Sequence, residues 1–190
     1  MYEHGSTTAI RSRPDFAFSD CLRAELRREQ LSVESAPLVM ELIHTKPTVE
    51  LYSEVLQRWY RVVSAVQPGA DRALGIVAPE MGWLETDLEA LGTNPCARWT
   101  DSPDFTYAES LGFRFAIESQ HLRSRVILPV IRHALGEQTS SFRFFEAHGG
   151  LTASWRAIVG SIDSLDPDQR REVLVGARAT LVALDRALSD

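Results

Sequence analysis

The sequence predicts an all-α fold, in a single domain of about seven to nine helices. Apolar residues recur at three- and four-residue spacing along most of the 190 residues. Helix-capping and helix-ending signals, among them Thr48, Asp166 and Gly136, separate these periodic stretches. The best strand candidate, residues 142–145, is short and has no neighbouring strand to pair with, so it does not predict a sheet.

The N-terminal half contains five predicted helices. They are expected over residues 19–34, 37–43, 48–66, 71–78 and 81–91. Ser19 and Asp20 are suitable caps for the first helix, and Thr48 for the third. Pro37 is tolerated in the first turn of the second helix. Pro68, which is followed by a glycine, is expected to end the third helix.

The C-terminal half contains longer helices separated by clear breaks. The helices are expected over residues 104–135, 151–162 and 166–188, after a surface loop at 93–103. Pro129 is expected to kink the first of these helices, which Gly136 closes. The last helix begins with Asp166, a proline and then Gln169, which is the pattern of a capping box.

Composition restricts the partners and the compartment. The hydrophobic and charged fractions, 44% and 24%, are typical of a globular protein, and the net charge of −6 argues against nucleic acid as a partner. Cys21 and Cys96 are too few for a disulfide scaffold. Neither a signal-peptide core nor an apolar run of about 20 residues occurs. These observations predict a cytoplasmic protein without a membrane partner, with a flexible arm at residues 1–18 before a domain at 19–190.

Three segments resemble one enzyme family. Residues 22–34, with the sequence LRAELRREQLSVE, resemble the N-terminal helix of bacterial heme oxygenases, especially the type that supplies biliverdin to bacterial phytochromes. Residues 111–127 resemble the distal helix of that family. Residues 141–157 resemble its aromatic, glycine-containing turn and the helix that follows. The resemblance extends over residues 19–188 and implies the all-α heme oxygenase fold, with heme between two helices.

The first helix departs from the family at its central position. The resemblance implies that the residue at position 30 is the proximal histidine, whereas this chain has Gln30, and a carboxamide is a poor iron ligand. Arg23 matches a basic residue that contacts a heme propionate, and Glu34 matches the carboxylate that accepts the histidine N–H. Arg27 lies on or near the same face. On the residues alone, the favoured interpretation is that these arginines are solvated while Gln30 and Glu34 form a local hydrogen bond, because such pairs are common on any helix.

The segment at residues 111–127 also differs from the distal helix of the family. Glu118 and the apolar residues after it match the family, but three glycines of the family correspond here to Ser119, Arg123 and Ser124. Glycines at these positions allow the helix backbone to lie directly over the heme. His121 is the one histidine considered as a replacement axial ligand, although an isolated histidine is more often unligated. In the third segment, Arg156 matches a basic residue that approaches a propionate, and the alternative is an exposed arginine.

Three functional hypotheses follow. In the first, the chain is a heme-oxygenase-like protein without ordinary heme degradation. It binds heme weakly, or binds another tetrapyrrole such as biliverdin, through Arg23, Arg27 and Arg156. Alternatively, it acts as a sensory or protein partner in bilin and phytochrome signalling. In the second, it is an active heme oxygenase with a redox partner, using His121 or a water molecule near Gln30. The third is a di-iron oxidase in which the Glu118–His121 pair is joined by other carboxylates, for which Glu54, Glu89 and Glu109 are the candidates.

Overall fold

The computed structural model describes residues 17–96, 103–123, 125–146 and 152–190, with only the backbone described for Leu122, Arg123 and Thr152. Ten helices and no strand occur in these ranges, which confirms the predicted all-α class. The helices are α1 (Phe18–Glu25), α2 (Arg27–Glu34), α3 (Pro37–His44), α4 (Val49–Leu74), α5 (Glu80–Ala90), α6 (Tyr107–Arg123), α7 (Ile127–Leu135), α8 (Arg143–Glu146), α9 (Thr152–Asp163) and α10 (Pro167–Ser189). None of them is long and apolar enough to cross a membrane.

The N-terminal helix differs from its prediction. It is divided at the buried residue Leu26 into α1 and α2, and the N-cap of α1 is Ala17. Ser19 does not cap the helix. Its backbone N–H and its hydroxyl instead donate to the carboxylate of Asp163, at 2.8 and 3.2 Å. This contact between the first turn of α1 and the end of α9 joins residues that are far apart in sequence.

Helix α4 continues through Pro68, where the sequence predicted its end. The helix ends at Leu74 and is capped by Gly75, whose φ of 67° lies in the left-handed region that favours glycine. Tertiary hydrogen bonds hold the last turns in place. The side chain of Gln67 donates to the carbonyl of Ala78 at 2.5 Å and accepts from the N–H of Met81 at 3.2 Å. These bonds tie α4 to the start of α5, and they offset the backbone bond that a proline cannot make.

The predicted helix over residues 104–135 is divided into α6 and α7. The break precedes Ile127, and Pro129 is the third residue of α7. In the first turn of a helix the N–H groups have no intrahelical partner, so a proline there costs no hydrogen bond. The prediction of a kink at Pro129 was therefore wrong, because the helix is interrupted before the proline.

Helix α6 is the centre of the molecule. Every residue from Leu111 to His121 is buried, because α4, α9 and α10 all pack against this helix. Helix α10 comes into close backbone contact with it at two glycines, Gly112 in α6 and Gly176 in α10. Helix α2 lies against α10 and also contacts α6 through a side-chain hydrogen bond. Helix α6 is therefore enclosed on several sides by the other helices.

The capping box of α10 is confirmed and gives a first test of local stability. The Asp166 carboxylate accepts from the N–H groups of Asp168 and Gln169, both at 2.9 Å, and the Gln169 side chain accepts from the Asp166 N–H. We expect Asp166→Ala to lower the free energy of unfolding by about 1 kcal/mol, measured by urea denaturation. Asp190→Ala, at the opposite end of α10, serves as the control. Equal effects of the two substitutions would contradict the capping role.

Candidate functional site

The two helices that resemble the heme-binding pair touch each other. The Gln30 side-chain N–H in α2 donates to the Ser119 hydroxyl in α6 at 3.3 Å, and that hydroxyl donates to the Ala116 carbonyl at 2.8 Å. Gln30 and Ser119 are both buried. A flat ring between two groups needs a separation of roughly 7 Å, twice an ordinary van der Waals distance. The residues at this point therefore do not fit a heme between them.

A basic cleft lies on one side of the Gln30–Ser119 contact. It has a volume of about 430 Å³ and is lined by Asp20, Arg23, Ala24, Arg27, Gln30, Ser119 and Trp155. Arg23 pairs with Asp20 at 2.8 Å, and its guanidinium lies 5.3 Å from the ring centre of Trp155. Arg27 is exposed. The cleft thus offers arginine side chains and an aromatic surface, which suit a carboxylate ligand with a flat body.

The predicted site residues are only partly brought together. Arg23, Arg27, Gln30 and Ser119 share the basic cleft, while Glu34 lines a separate cavity. Arg156 is exposed and does not line the cleft, although its neighbour Trp155 does. The side chain of Arg123 and the whole of Ser124 lie outside the described residues.

The separate cavity is mainly apolar and has a volume of about 530 Å³. Side chains from α2, α3, α4 and α8 form most of its wall, together with residues at the junction of α6 and α7. Trp59 and Phe145 are its aromatic residues, and Glu34, Gln120 and Arg125 are its polar residues. The sequence did not predict this cavity. Lining residues such as Val55 and Trp59 belong to the periodic apolar positions of a predicted helix, and periodicity does not distinguish a filled core from a hollow one.

His121 lies among aromatic side chains rather than in either cavity. Its imidazole stacks on Trp59, with ring centres 6.1 Å apart, and meets Phe144 edge-on at 4.6 Å. The side chain is buried, and it lines neither the basic cleft nor the apolar cavity. This environment gives no support to a role as a substitute axial ligand.

A buried ionic cluster connects α5, α6 and α9. The guanidinium of Arg114 lies 2.7 Å from a Glu80 carboxylate oxygen and 2.6 Å from one of Glu118, to which the Ser154 hydroxyl also donates at 2.6 Å. Burial raises the pKa of Glu118, and Ser154 and Arg114 only partly reverse this. Burial opposes the charge of Arg114, but the two carboxylates raise the pKa of its guanidinium overall. No role for Arg114 or Glu80 was predicted from the sequence.

The same cluster bears on the di-iron hypothesis. Glu118 is engaged by Arg114 and Ser154, and Glu54 pairs with Arg58 at 2.9 Å on the outside of α4. Glu109 accepts from the N–H of Thr106, and Glu89 is exposed. Among the described residues, no three His, Cys, Asp or Glu side chains are grouped as metal ligands would be. The geometry does not support a di-iron centre in that part of the chain.

The buried carboxylate of Asp87 was also not predicted from the sequence to have a role. Asp87 in α5 accepts from the Ser141 hydroxyl at 2.5 Å and from the N–H groups of Arg143 and Phe144 at 2.8 and 2.9 Å. Burial raises the pKa of Asp87 in spite of these bonds. Burial and the neighbouring Asp87 also raise the pKa of Tyr52. Asp87 therefore holds α8 in place, and α8 supplies Phe145 to the apolar cavity.

Comparisons with known proteins support the fold. No protein-family model matches this sequence, and no curated protein matches it. Among solved structures, the chain is similar to the NO- and CO-bound heme oxygenase from Neisseria meningitidis, with a TM-score of 0.64 and 18% sequence identity. The match covers 91% of this chain and 90% of that one. The chain therefore has the all-α fold of a bacterial heme oxygenase.

Proposed function

We propose that this protein has a heme oxygenase fold but does not carry out ordinary heme degradation, and that its basic cleft binds the carboxylates of heme or biliverdin weakly. The hydrogen bond between Gln30 and Ser119 is the observation that carries the proposal. It joins the two helices at the place where the resemblance would put heme. A role as a partner protein in bilin signalling stays a prediction.

The chemistry of position 30 supports the absence of turnover. Heme iron in proteins is held by histidine, cysteine, methionine or tyrosine side chains, and a neutral carboxamide is a much poorer donor. To coordinate heme iron, the buried Gln30 amide would first have to lose its hydrogen bond to Ser119, which costs free energy. Ordinary heme degradation would require both an iron ligand and an open gap, and this arrangement supplies neither.

The basic cleft supports weak binding of a tetrapyrrole outside that gap. Arg27 is exposed, and Arg23 lies beside the ring of Trp155. A guanidinium binds a carboxylate through two parallel hydrogen bonds, and an indole face packs against a flat conjugated ring. Because Arg27 is exposed to solvent and Arg23 already pairs with Asp20, the affinity is expected to be modest.

The first experiment titrates hemin and, separately, biliverdin into the purified protein and records optical spectra before and after addition of ascorbate and oxygen. We expect saturable binding and a heme spectrum from which no biliverdin absorbance grows. Arg27→Gln is expected to weaken the binding of either tetrapyrrole about threefold to tenfold. Arg28→Gln is the matched control, because Arg28 is exposed on the same helix and does not line the cleft. Growth of a biliverdin band at the expense of bound heme would overturn the proposal.

A pair of variants tests whether the α2–α6 contact closes the gap. Gln30→His alone supplies an imidazole but leaves the Ser119 side chain in place, so we expect little change in hemin affinity. The double variant Gln30→His/Ser119→Gly also removes the side chain on α6 and is expected to bind hemin about tenfold more tightly than the wild type. Equal affinities for the single and double variants would show that Ser119 does not block the gap.

A further inference from the structure

One polar group of the apolar cavity is left without a hydrogen-bond partner among the described residues. Gln120 is 6% exposed and lines the cavity, and its side-chain N–H₂ nitrogen makes no hydrogen bond within that part of the chain. A buried donor without an acceptor is costly, so such groups in native proteins usually meet a protein group, an ordered water molecule or a ligand. The rest of the wall is largely aliphatic and aromatic, including Leu42, Ile43, Val55, Trp59, Ile127 and Phe145.

The charged side chains at the cavity indicate which charge the polar group of a ligand would carry. Arg125 is exposed and lines the same cavity, close in the chain to Gln120. Glu34 contributes a carboxylate from α2. An anionic head group is therefore favoured beside α6 and α7, where Gln120 and Arg125 lie, and disfavoured beside α2. An amine would place a second donor against the Gln120 amide and leave its N–H₂ group unsatisfied.

We propose that this cavity binds an apolar carboxylic acid, such as a medium-chain fatty acid. The ligand's carboxylate accepts a hydrogen bond from Gln120 and pairs with Arg125, while its apolar body lies against Trp59 and the aliphatic wall. The volume of about 530 Å³ falls in the range of pockets that hold molecules of this size. The inference does not depend on tetrapyrrole binding, because no described residue lines both the basic cleft and this cavity.

The test is a calorimetric titration of the full chain with dodecanoate, and with dodecylamine as a probe of equal length and opposite charge. We expect saturable binding of one dodecanoate and an affinity for dodecylamine at least about tenfold lower. Trp59 lines the cavity, so tryptophan fluorescence is expected to change over the same concentration range. Absence of saturable dodecanoate binding, or equal affinity for both probes, would overturn the proposal.

Variants identify the site. Gln120→Leu is expected to weaken dodecanoate binding about tenfold, whereas Gln138→Leu, on the exposed end of the neighbouring segment, is the matched control and should leave it unchanged. Ile43→Trp fills the cavity without changing a polar group and is expected to abolish binding. Circular dichroism melting verifies that each variant is folded. Full dodecanoate affinity in either folded cavity variant would contradict the proposed site.

One further variant separates this proposal from the proposed function. Arg27→Gln alters the basic cleft and is expected to leave dodecanoate affinity unchanged, although it weakens tetrapyrrole binding. A protein that binds dodecanoate but no tetrapyrrole would retain this inference and lose the proposed function. The reverse result would retain the proposed function and remove this inference.

Discussion

Replacement of Arg114 by leucine is expected to lower the free energy of unfolding at pH 7 by about 3–5 kcal/mol. Arg114 is the cation of a cluster in which Glu80 and Glu118 are 1% and 0% exposed. Removing the guanidinium leaves two buried carboxylates facing each other without a counter-charge. Unfolding in guanidinium chloride, followed by circular dichroism, measures the loss.

The loss is expected to depend on pH. Burial already raises the pKa of Glu118, and the positive charge of Arg114 partly lowers this pKa. Removal of Arg114 is therefore expected to raise the pKa of Glu118 further. A carboxyl group whose folded-state pKa lies above the unfolded value of about 4.3 binds protons more tightly in the folded state, so stability falls as pH rises through that window. The deficit of Arg114→Leu should therefore be smaller at pH 5 than at pH 7. An equal deficit at both values would show that the two carboxylates do not cause it.

Two controls separate the buried charge from the loss of side-chain volume. Arg171→Leu removes an exposed arginine paired with Asp168 at 3.0 Å, and is expected to change stability by less than about 1 kcal/mol. The triple variant Arg114→Leu/Glu80→Gln/Glu118→Gln removes all three charges together. It should recover most of the stability lost in Arg114→Leu, because an uncompensated buried charge no longer remains.

Replacement of Gly112 by alanine is expected to lower the free energy of unfolding by about 3 kcal/mol. A Cβ atom at Gly112 would overlap the Val173 carbonyl oxygen and lie 2.7 Å from the Ala177 nitrogen. Both neighbours are backbone atoms of α10, which cannot rotate away as a side chain can. Gly176 of α10 faces α6 in the same way, since its Cβ would lie 2.9 Å from the Glu109 Cα. Thermal and chemical denaturation measure the cost.

The matched control is Gly160→Ala in α9, where an added Cβ would meet nothing within 4 Å. Alanine has the higher helix propensity, so this substitution should stabilise the protein by up to about 1 kcal/mol. Opposite signs for the two glycine-to-alanine substitutions would locate the effect in the α6–α10 contact. A neutral Gly112→Ala would mean that the two helices can move apart at little cost. Because α6 also carries Ser119 and Gln120, a destabilised contact is expected to weaken ligand binding as well.

Much of the fold could be predicted from local patterns. The Thr48 cap, the short helix that begins at Pro37 and the capping box at Asp166 were read from adjacent residues, and the structure contains all three. A cap is a hydrogen bond between residues two or three positions apart, so its signal is complete within a short stretch of sequence. The helix predicted over residues 81–91 is also observed, as α5 at Glu80–Ala90.

The predictions that were wrong concern places where distant contacts outweigh local preference. Pro68 was expected to end a helix, but hydrogen bonds from Gln67 to the start of α5 hold α4 together beyond it. Ser19 was expected to cap α1, but it binds Asp163, which lies 144 residues further along the chain. Neither partner could be identified from the residues beside it, because many polar side chains in the chain could form such bonds.

Local sequence patterns are sufficient to predict the helical class of this protein, the places where several helices begin, and the chemical types of the residues in the basic cleft. Tertiary packing is needed to bring Gln30 against Ser119, to enclose Arg114 between two carboxylates and to place Gln120 at an apolar cavity. The reason is physical: helix formation and capping depend on neighbours within a few positions. Closure of a gap, burial of a charge and the shape of a cavity depend on how whole helices pack.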